Sequence, residues 1–362
     1  MSHMINVSKP YLPPLDEYQK FLEGIWQRHW LTNHGPLVKE LEMKLRGFLN
    51  VKNIQFLGNG TIPLQMAIKV FGLQGEIITT PFSYVATTGA ILWENCQPVF
   101  SDIESSTFCI DADKIEEKIT KNTKAILATH VFGFPCDVVK IKKIADKHKL
   151  KVIYDGAHAF GVNIFGKSIF EFGDITTCSF HATKLFHTIE GGAIFCNDDE
   201  INQRLFLLKS FGHLGEDYFT MGINAKNSEF HAAMGLCNLP HIPEFIQKRK
   251  KIAEIYRVEM AKLPLTFPLI PENLEYNYSY FPVIFESEHS LLKVKASLEK
   301  ESINTRRYFY PSLNKLPYLK GMSTCSVSEK IAEQVLCLPM YEQLTQGEIE
   351  HVCKSIKKAF EK

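Results

Sequence analysis

One lysine stands between two apolar, strand-like runs, where it could serve nucleophilic chemistry. Lys184 follows the run Ile175–Phe180 and precedes a glycine pair that opens the run Gly192–Cys196. A lysine at such a turn can point into a pocket, and burial or a neighbouring cation lowers its pKa toward nucleophilic use. Most lysines are solvated surface charges, so this residue alone does not identify a site.

Two other stretches supply a carboxylate and a cradle for an anion. The run Lys151–Asp155 is typical of a buried strand, and it ends in an aspartate where open α/β sheets carry ligand-binding residues. The glycine-flanked turn Gly58–Thr61 leads into a helical pattern that starts at Ile62. The free backbone N–H groups and the positive dipole end of a helix N-terminus favour a phosphate.

These three groups together fit the chemistry of pyridoxal phosphate. The lysine amine can bond to the cofactor's aldehyde, and the carboxylate can keep the pyridine nitrogen protonated so that the ring acts as an electron sink. The helix N-terminus can hold the cofactor's phosphate. The combination predicts a pyridoxal phosphate enzyme.

In this order and spacing, the three stretches resemble the nucleotide-sugar aminotransferases of the DegT/DnrJ/EryC1/StrS family. The resemblance covers nearly the whole chain and includes the segments Trp30–Pro36, Thr80–Thr87 and Gly222–Glu229. It implies an α/β enzyme of fold-type I. Such an enzyme has a large domain with a seven-stranded, mostly parallel mixed sheet, with pyridoxal phosphate at the sheet edge, and a smaller α+β C-terminal domain.

The pattern of apolar runs agrees with that expectation. Strand-like runs alternate with helical periods from about residue 38 to residue 197, which favours a mostly parallel sheet covered on both faces. The helical periods are Ile62–Phe71, Val85–Trp93, Ala112–Ile119 and Val138–His148. Past Pro240, a basic helical pattern precedes short strand-like runs that include Tyr280–Phe285 and Ile303–Phe309. We therefore expect a large domain over residues 5–240 and a small domain over residues 241–362, with residues 1–4 an expression scar.

Composition limits the partners. The chain has 362 residues, of which 45% are hydrophobic and 22% charged, as in an ordinary folded enzyme. A net charge of +1 argues against nucleic-acid or anionic-membrane partners. No apolar run approaches the roughly 20 residues of a membrane helix. The nine cysteines include no C-x-x-C pair, which favours free thiols in the cytoplasm, and the thirteen histidines lack metal-ligand spacing, so we expect no metal.

The resemblance implies roles for the residues around the lysine. Lys184 matches the lysine that bonds to the cofactor and moves the substrate proton. Some relatives carry histidine at this position and are dehydratases, so lysine favours transamination. Asp155 matches the partner of the pyridine nitrogen, although a strand-end carboxylate that caps a turn is the alternative. His158 matches the residue beside the cofactor hydroxyl, with a satisfied core histidine as the alternative.

The resemblance also implies the residues that hold the phosphate and the ring. Gly60 and Thr61 match the phosphate-binding turn, and Ser179 adds a hydroxyl. Asn59 stands where relatives commonly carry serine, and we expect the backbone there still to donate. Tyr84 matches the aromatic residue that stacks on the pyridine ring.

One further position implies an assembly. Asn224 matches a residue that relatives supply from the partner subunit to the cofactor phosphate. The resemblance therefore implies a homodimer with active sites at the interface.

Substrate contacts are predicted from two segments and one histidine. The candidates are Thr32, Asn33, His34, His187, Arg306 and Arg307. A guanidinium at Arg306 or Arg307 could fork onto a nucleotide pyrophosphate or onto glutamate carboxylates. A solvated surface pair is the alternative for these two arginines.

Within the family, the resemblance implies amination of dTDP-4-keto-6-deoxy-D-glucose by L-glutamate. The product would be dTDP-4-amino-4,6-dideoxy-D-glucose for a surface polysaccharide such as O-antigen. The alternatives are a 3-aminotransferase acting on a dTDP-3-keto-6-deoxyhexose and an enzyme for UDP- or GDP-4-keto sugars. A pyridoxal phosphate sugar dehydratase and a non-catalytic family member also remain open.

Overall fold

The computed structural model describes residues 4–319 and 321–361. Residues 1–3 of the predicted expression scar lie outside the described residues. The α-helices are α1 (Leu15–Arg28), α2 (Pro36–Leu49), α3 (Ile62–Val70), α4 (Val85–Trp93), α5 (Val138–His148), α6 (Asp199–Lys209), α7 (Glu229–Asn238), α8 (Ile242–Glu259), α9 (Glu288–Lys300), α10 (Ser326–Gln334) and α11 (Gln346–Glu361). The strands are β1 (Asn53–Leu57), β2 (Glu76–Thr79), β3 (Gln97–Phe100), β4 (Thr123–Thr129), β5 (Lys151–Asp155), β6 (Asn163–Ile164), β7 (Lys167–Ser168), β8 (Ile175–Ser179), β9 (Gly192–Cys196), β10 (His213–Leu214), β11 (Asp217–Tyr218), β12 (Leu265–Thr266), β13 (Leu274–Glu275), β14 (Phe281–Phe285) and β15 (Val335–Leu338).

Seven strands form one mixed sheet in the order β1-β9-β8-β5-β4-β2-β3. Strand β9 pairs antiparallel with β1 and β8, and the other neighbours pair in parallel. Every residue of β9 is buried, and β4 exposes only Lys124. Such continuously apolar strands are covered on both faces. The structure thus confirms the predicted seven-stranded, mostly parallel mixed sheet of an α/β fold.

Alternate residues of the strands join two apolar clusters on opposite faces of the sheet. On β4, Ala125 and Leu127 pack into a cluster that includes residues of α3, α4 and α6. Ile126 and Ala128 pack into a cluster that includes residues of α2, α5 and α7. The sheet is therefore a buried middle layer, and its strand ends are held rigidly.

The carboxyl ends of three parallel strands meet at one edge of this sheet. Strand β4 ends at Thr129, β5 at Asp155 and β8 at Ser179. Thr129 lies directly beside Asp155 in the β4–β5 pairing, and Asp155 lies beside Thr177 in the β5–β8 pairing. Parallel sheets of this kind bind ligands beyond this edge.

Most of the chain beyond α7 forms a second, α+β layer, while β13 pairs with β6. Strands β12, β14 and β15 form an antiparallel sheet, and helices α8, α9 and α11 pack with it around a separate apolar cluster. Helix α8 begins at Ile242, just beyond the predicted boundary, but the division into domains at residue 240 stays a prediction. Among the described residues, no helix is long and apolar enough to cross a lipid bilayer.

The predicted helix Ala112–Ile119 is wrong. The segment forms two short 3₁₀ turns, Ala112–Lys114 and Glu116–Lys118. Only Ala112 and Ile115 are buried in it, and the Asp111 side chain caps the first turn. Two buried residues three positions apart need a single turn, whereas an α-helix is stabilised by a longer apolar stripe.

The predicted strand Ile303–Phe309 is also wrong. The segment pairs with other chain segments only through isolated bridges at Ile303 and Arg306. Beyond Arg306 it leaves the small sheet, and the side chains of Tyr308 and Phe309 reach the carboxyl edge of the large sheet. Its apolar residues therefore serve the contact between the two layers rather than a strand.

Candidate active site

A cavity of about 270 Å³ opens at the carboxyl edge of the large sheet. The predicted site residues that line it are Gly60, Thr61, Tyr84, Asp155, His158, Ser179, Lys184 and Arg306. They converge because β1, β5 and β8 all end at this edge of the sheet, with the start of β9 between β1 and β8. No group of three or more His, Cys, Asp or Glu side chains placed to hold a metal ion occurs in the described part of the chain.

The Asp155 carboxylate is buried in the wall of this cavity. Its Oδ2 accepts a hydrogen bond from the Thr87 hydroxyl at 2.7 Å, and its Oδ1 accepts one from the Ala157 backbone N–H at 3.0 Å. Burial raises the pKa of the Asp155 carboxyl, and these two hydrogen bonds and the Lys184 charge oppose that rise. Its hydrogen-bond donors are neutral, so a protonated pyridine nitrogen fits this site chemically.

Lys184 lies in the turn after β8, half-buried at the cavity wall. Its Nζ is 3.1 Å from the Tyr280 hydroxyl. Burial lowers the pKa of the Lys184 amine, while the Tyr308 phenol and the Asp155 carboxyl oppose that change. The net effect is a pKa below that of an ordinary lysine, which raises the fraction of neutral amine, the form that can act as a nucleophile or accept a proton.

The His158 ring is held as a neutral tautomer. Its Nδ1 accepts a hydrogen bond from the Phe132 backbone N–H at 3.1 Å, so the ring proton is on Nε2. Burial and the Lys184 charge hold the pKa of His158 well below its usual value. The ring lies almost parallel to Phe309, with centroids 5.6 Å apart. This packing leaves an N–H donor for a hydroxyl acceptor.

The predicted phosphate-binding turn is tightly packed, and some of its backbone N–H groups already donate to a side chain of the same turn. A Cβ at Gly60 would lie 2.6 Å from the Cβ of Ser179, so only glycine fits without a shift. The Asn59 Oδ1 accepts hydrogen bonds from the backbone N–H groups of Thr61 and Ile62, both at 2.9 Å. These two N–H groups are therefore not free here, because the Asn59 side chain accepts from both, and the phosphate contact of this turn stays a prediction. A phosphate here competes with Asn59, and the hydroxyls of Thr61 and Ser179 lie on the same wall.

Tyr84 and Asn224 differ in their relation to the cavity. Tyr84 precedes the first residue of α4, and its side chain is 55% exposed at the cavity wall. Asn224 is exposed, does not line this cavity, and forms an isolated bridge with Ser210. The predicted contact of Asn224 with a cofactor in the partner subunit stays a prediction.

The two neighbouring arginines have different surroundings. The Arg306 guanidinium is exposed at the cavity, 4.7 Å from the Tyr308 ring centroid, and has no ion-pair partner within the described residues. Arg307 instead donates to the Glu288 carboxylate at 2.7 Å and lies 3.5 Å from the Tyr310 ring centroid. Of the pair, only Arg306 is placed to meet a ligand in this cavity.

The remaining substrate candidates do not line the cavity. The His187 Nε2 donates to the Tyr11 carbonyl at 2.7 Å, and its Nδ1 accepts from the Ile189 N–H at 3.2 Å, so both ring nitrogens are used. His34 Nε2 lies 2.8 Å from a carboxylate oxygen of Glu42. Thr32 and Asn33 are exposed. Their contact with a sugar, and that of His34, stays a prediction.

Sequence reasoning missed several polar groups of this site. Among them are Ser83, Thr87, Thr129, Tyr280 and Tyr308. Thr87 lies one helical turn after Tyr84, and this spacing is the signal that could have found it. Tyr280 is 96 residues from Lys184 and carries no comparable local signal.

The lowered pKa of the Lys184 amine predicts that it becomes reactive at a lower pH than an ordinary lysine. In cofactor-free protein, we expect Lys184 to react with an acylating reagent at a lower pH than N-acetyl-lysine amide added as an internal standard. The reason is that burial disfavours the charged form, so the neutral amine is already present as pH rises toward the ordinary lysine pKa of about 10.4. Competitive labelling followed by peptide mass spectrometry measures both midpoints. A Lys184 midpoint at or above that of the standard contradicts the expectation.

Known proteins are similar to this chain over nearly its full length. The dTDP-4-amino-4,6-dideoxy-D-glucose transaminase of Shigella dysenteriae is 42% identical over 364 residues, covering 99% of each chain. The enzyme of the same name from Escherichia coli is 41% identical, covering 97% of each chain. A crystal structure of DesI in the presence of its TDP-sugar product superposes with a TM-score of 0.94 at 31% identity, covering 99% of this chain and 93% of that chain.

The family assignment rests on nearly the full length of the protein. The model of the DegT/DnrJ/EryC1/StrS aminotransferase family matches residues 15–357. The site has groups that fit pyridoxal phosphate: a lysine amine, a buried carboxylate, and the Thr61 and Ser179 hydroxyls beside a helix start. The chain belongs to the DegT/DnrJ/EryC1/StrS aminotransferase family and is a pyridoxal phosphate-dependent sugar aminotransferase.

Proposed function

We propose that this enzyme transfers the amino group of L-glutamate to dTDP-4-keto-6-deoxy-D-glucose. The product is dTDP-4-amino-4,6-dideoxy-D-glucose, a precursor for surface polysaccharide such as O-antigen. One observation carries the proposal: Lys184, Asp155 and the Gly60–Thr61 turn meet at one cavity, in a chain 42% identical to a transaminase named for this product.

Pyridoxal phosphate, when bound, supplies an electron sink that lets an amino group leave one substrate and join another. In this proposal Asp155 holds the pyridine nitrogen, and His158 donates its Nε2–H to the cofactor hydroxyl. Tyr84 covers one face of the ring. Thr61 and Ser179 donate hydroxyl hydrogen bonds to the phosphate.

Lys184 is the proposed proton carrier. Its neutral Nζ takes the proton from Cα of glutamate and, in the second half of the reaction, returns a proton to C4 of the sugar. Glutamate leaves as 2-oxoglutarate before the keto sugar enters the same cavity. The Tyr280 hydroxyl, 3.1 Å from Nζ, holds the amine at the cavity wall between these steps.

Arg306 is the proposed anchor for both substrates. Its guanidinium lines the cavity and has no ion-pair partner within the described part of the chain. Glutamate presents carboxylates and the nucleotide sugar presents a pyrophosphate, and an arginine can bind either group bidentately. Since the two substrates enter in turn, one arginine can serve both.

We propose that the active unit is a homodimer. An apolar groove borders the cavity at Tyr84 and is lined by Trp93, Met221 and Ile223, whose side chains are 78%, 67% and 47% exposed. Exposed apolar surface of this kind marks an interaction site. Ile223 precedes Asn224, so a second subunit docked on this groove brings its own Asn224 close to the cofactor phosphate.

The proposed location is the cytoplasm. All nine cysteines are buried and free. Buried thiols are typical of proteins in a reducing compartment.

The alternatives differ in the acceptor or in the reaction. A 3-keto sugar or a UDP- or GDP-linked 4-keto sugar uses the same Lys184, Asp155 and Arg306 chemistry. A dehydratase of this family carries histidine at position 184, and Lys184 favours transamination. A non-catalytic member has no need of a buried carboxylate and a half-buried amine at one cavity.

A donor-and-acceptor assay tests the reaction. Cofactor-loaded protein incubated with L-glutamate and dTDP-4-keto-6-deoxy-D-glucose should form a product with nitrogen at C4, identified by mass and NMR. Lys184→Ala should abolish turnover and lack the absorbance of lysine-bound cofactor, because the covalent amine and the proton carrier are both lost.

Other results of this assay would be decisive as well. Conversion of glutamate to 2-oxoglutarate without a sugar product would support the aminotransferase assignment and exclude this acceptor. The remaining acceptors would then be the 3-keto sugars and the UDP- and GDP-linked 4-keto sugars. Normal turnover by Lys184→Ala would remove the lysine from the mechanism.

Arg306 and Arg307 provide a matched pair of variants. Arg306→Met should raise KM for glutamate and for the nucleotide sugar by about tenfold or more, since a hydrogen bond to a charged group contributes about 1.5–3 kcal/mol. Arg307→Met removes the bond to Glu288 and should lower the unfolding temperature while leaving both KM values within about twofold. Steady-state kinetics and thermal denaturation separate the two effects. A larger KM change in the Arg307 variant would contradict the assignment.

Mixed dimers test the shared active site. Lys184→Ala and Asn224→Ala should each be nearly inactive alone. After joint refolding, activity should return to about one quarter of the sites, because half of the dimers then hold one intact site. Gel filtration of the mixture reports the assembly. If a confirmed mixed dimer regains no activity, Asn224 does not contribute to the active site of the other subunit.

A further inference from the structure

Three buried hydroxyl groups form a chain that ends on the Asp155 carboxylate. Thr129 Oγ1 donates to Ser83 Oγ at 3.0 Å, and Ser83 Oγ lies 2.7 Å from Thr87 Oγ1. Thr87 Oγ1 donates to Asp155 Oδ2 at 2.7 Å. All four side chains are at most 6% exposed. A continuous polar chain thus runs through the wall of the cavity.

The direction of each hydrogen bond follows from the number of protons. A hydroxyl has one proton, and an ionised carboxylate only accepts hydrogen bonds. Thr87 gives its proton to Asp155, so the bond between Ser83 and Thr87 must use the proton of Ser83. Ser83 then accepts the proton of Thr129. All three hydroxyl protons therefore point along the chain toward Asp155.

We propose that Thr87, supported by Ser83 and Thr129, is a positioning residue that keeps Asp155 ionised and aimed at the pyridine nitrogen of the cofactor. This inference rests on the proposed role of Asp155 and deepens it.

The surroundings of Asp155 explain why such support is required. A buried carboxylate becomes neutral unless its partners favour the charged form. Among the described residues, the donors to the Asp155 carboxylate are the Thr87 hydroxyl and the Ala157 N–H, both neutral. Donation from Ser83 polarises the Thr87 hydroxyl and strengthens its bond to the carboxylate, since hydrogen bonds in a chain reinforce one another.

The fold places the chain at the end of β4 and around the start of α4. Thr129 ends β4 and is the direct neighbour of Asp155 in the sheet. Ser83 precedes α4, and Thr87 lies in the first turn of that helix. Because a neutral Asp155 would leave the pyridine nitrogen without its counter-charge, this arrangement controls the electron sink.

Three variants separate the hydroxyl from packing. Thr87→Val removes the hydroxyl at nearly constant volume, and Thr87→Ser keeps it. Thr88→Val is the matched control, because Thr88 is also fully buried in α4 and its hydroxyl has no hydrogen-bond partner among the described residues.

The first measurement is the ionisation of Asp155 in cofactor-free protein. Aspartate labelled with ¹³C at Cγ is titrated by NMR, and Asp155→Asn identifies the resonance. Thr87→Val should lower the acid dissociation constant of the Asp155 carboxyl by about tenfold or more, because the ionised form loses a charge-assisted hydrogen bond. In Thr87→Ser and in Thr88→Val, Asp155 should have the same titration midpoint as in the unchanged protein. An unchanged midpoint in Thr87→Val overturns the inference.

The second measurement is cofactor affinity. Thr87→Val should bind pyridoxal phosphate about tenfold more weakly, but should bind a carbocyclic analogue, with C–H in place of the pyridine nitrogen, as tightly as the unchanged protein does. Equal weakening for both compounds would show a packing defect and overturn the inference. If Thr87→Val does not fold, Ser83→Ala replaces it, with a smaller shift in the same direction expected.

The two measurements do not depend on the sugar that the enzyme aminates. If the donor-and-acceptor assay gives no product, both measurements can still be interpreted. If the enzyme is active but the titration midpoint of Asp155 is the same in Thr87→Val, only the proposed role of the hydroxyl chain is refuted.

Discussion

The buried carboxylate of Asp155 is the constraint on which the site depends. Removing an ion of this size from water costs several kcal/mol or more, and the cost is recovered only through hydrogen bonds and an opposite charge. The parallel sheet places Asp155 at the end of a central strand whose apolar residues are buried in two clusters. Neutral donors surround it, so the arrangement is completed by a cationic ligand. The pyridinium of the family's cofactor has that charge.

The same burial acts in opposite directions on the basic groups nearby. It favours the neutral form of Lys184 and of His158 while it penalises the charged form of Asp155. One environment thus lowers the pKa of the Lys184 amine and of His158 and raises that of the Asp155 carboxyl. This separation of protonation states is the general way in which a site assigns acid, base and electrostatic roles to its groups.

The small α+β layer closes the site through a segment without regular structure. Phe309 packs edge-on against Phe82 at 5.5 Å and stacks with His158, so the segment is joined to the core of the large sheet. Arg306 and Arg307 leave this segment in different directions, one toward the cavity and one toward Glu288. The cavity is therefore completed by the packing of the two layers, and the same segment contacts His158 and presents Arg306.

The sequence by itself determined the elements whose signal is local. Continuous apolar runs indicated a parallel sheet, and the polar residues at strand ends marked Asp155, Ser179 and Lys184, because strand ends of a parallel sheet share one edge. The helix start at Gly60–Thr61 was marked by its glycines, although the cap by Asn59 was not foreseen. The run Ile303–Phe309 has strand-like residues, but its course is set by the cavity that it closes.

Only the tertiary structure decided which distant groups meet. Thr87 is 68 residues from Asp155, and Tyr280 is 96 residues from Lys184. The direction of the hydroxyl chain and the different surroundings of the two arginines likewise depend on burial and packing between elements. Periodicity reports how a segment faces its immediate neighbours, whereas hydrogen bonds between elements depend on side-chain positions that the assembled layers fix.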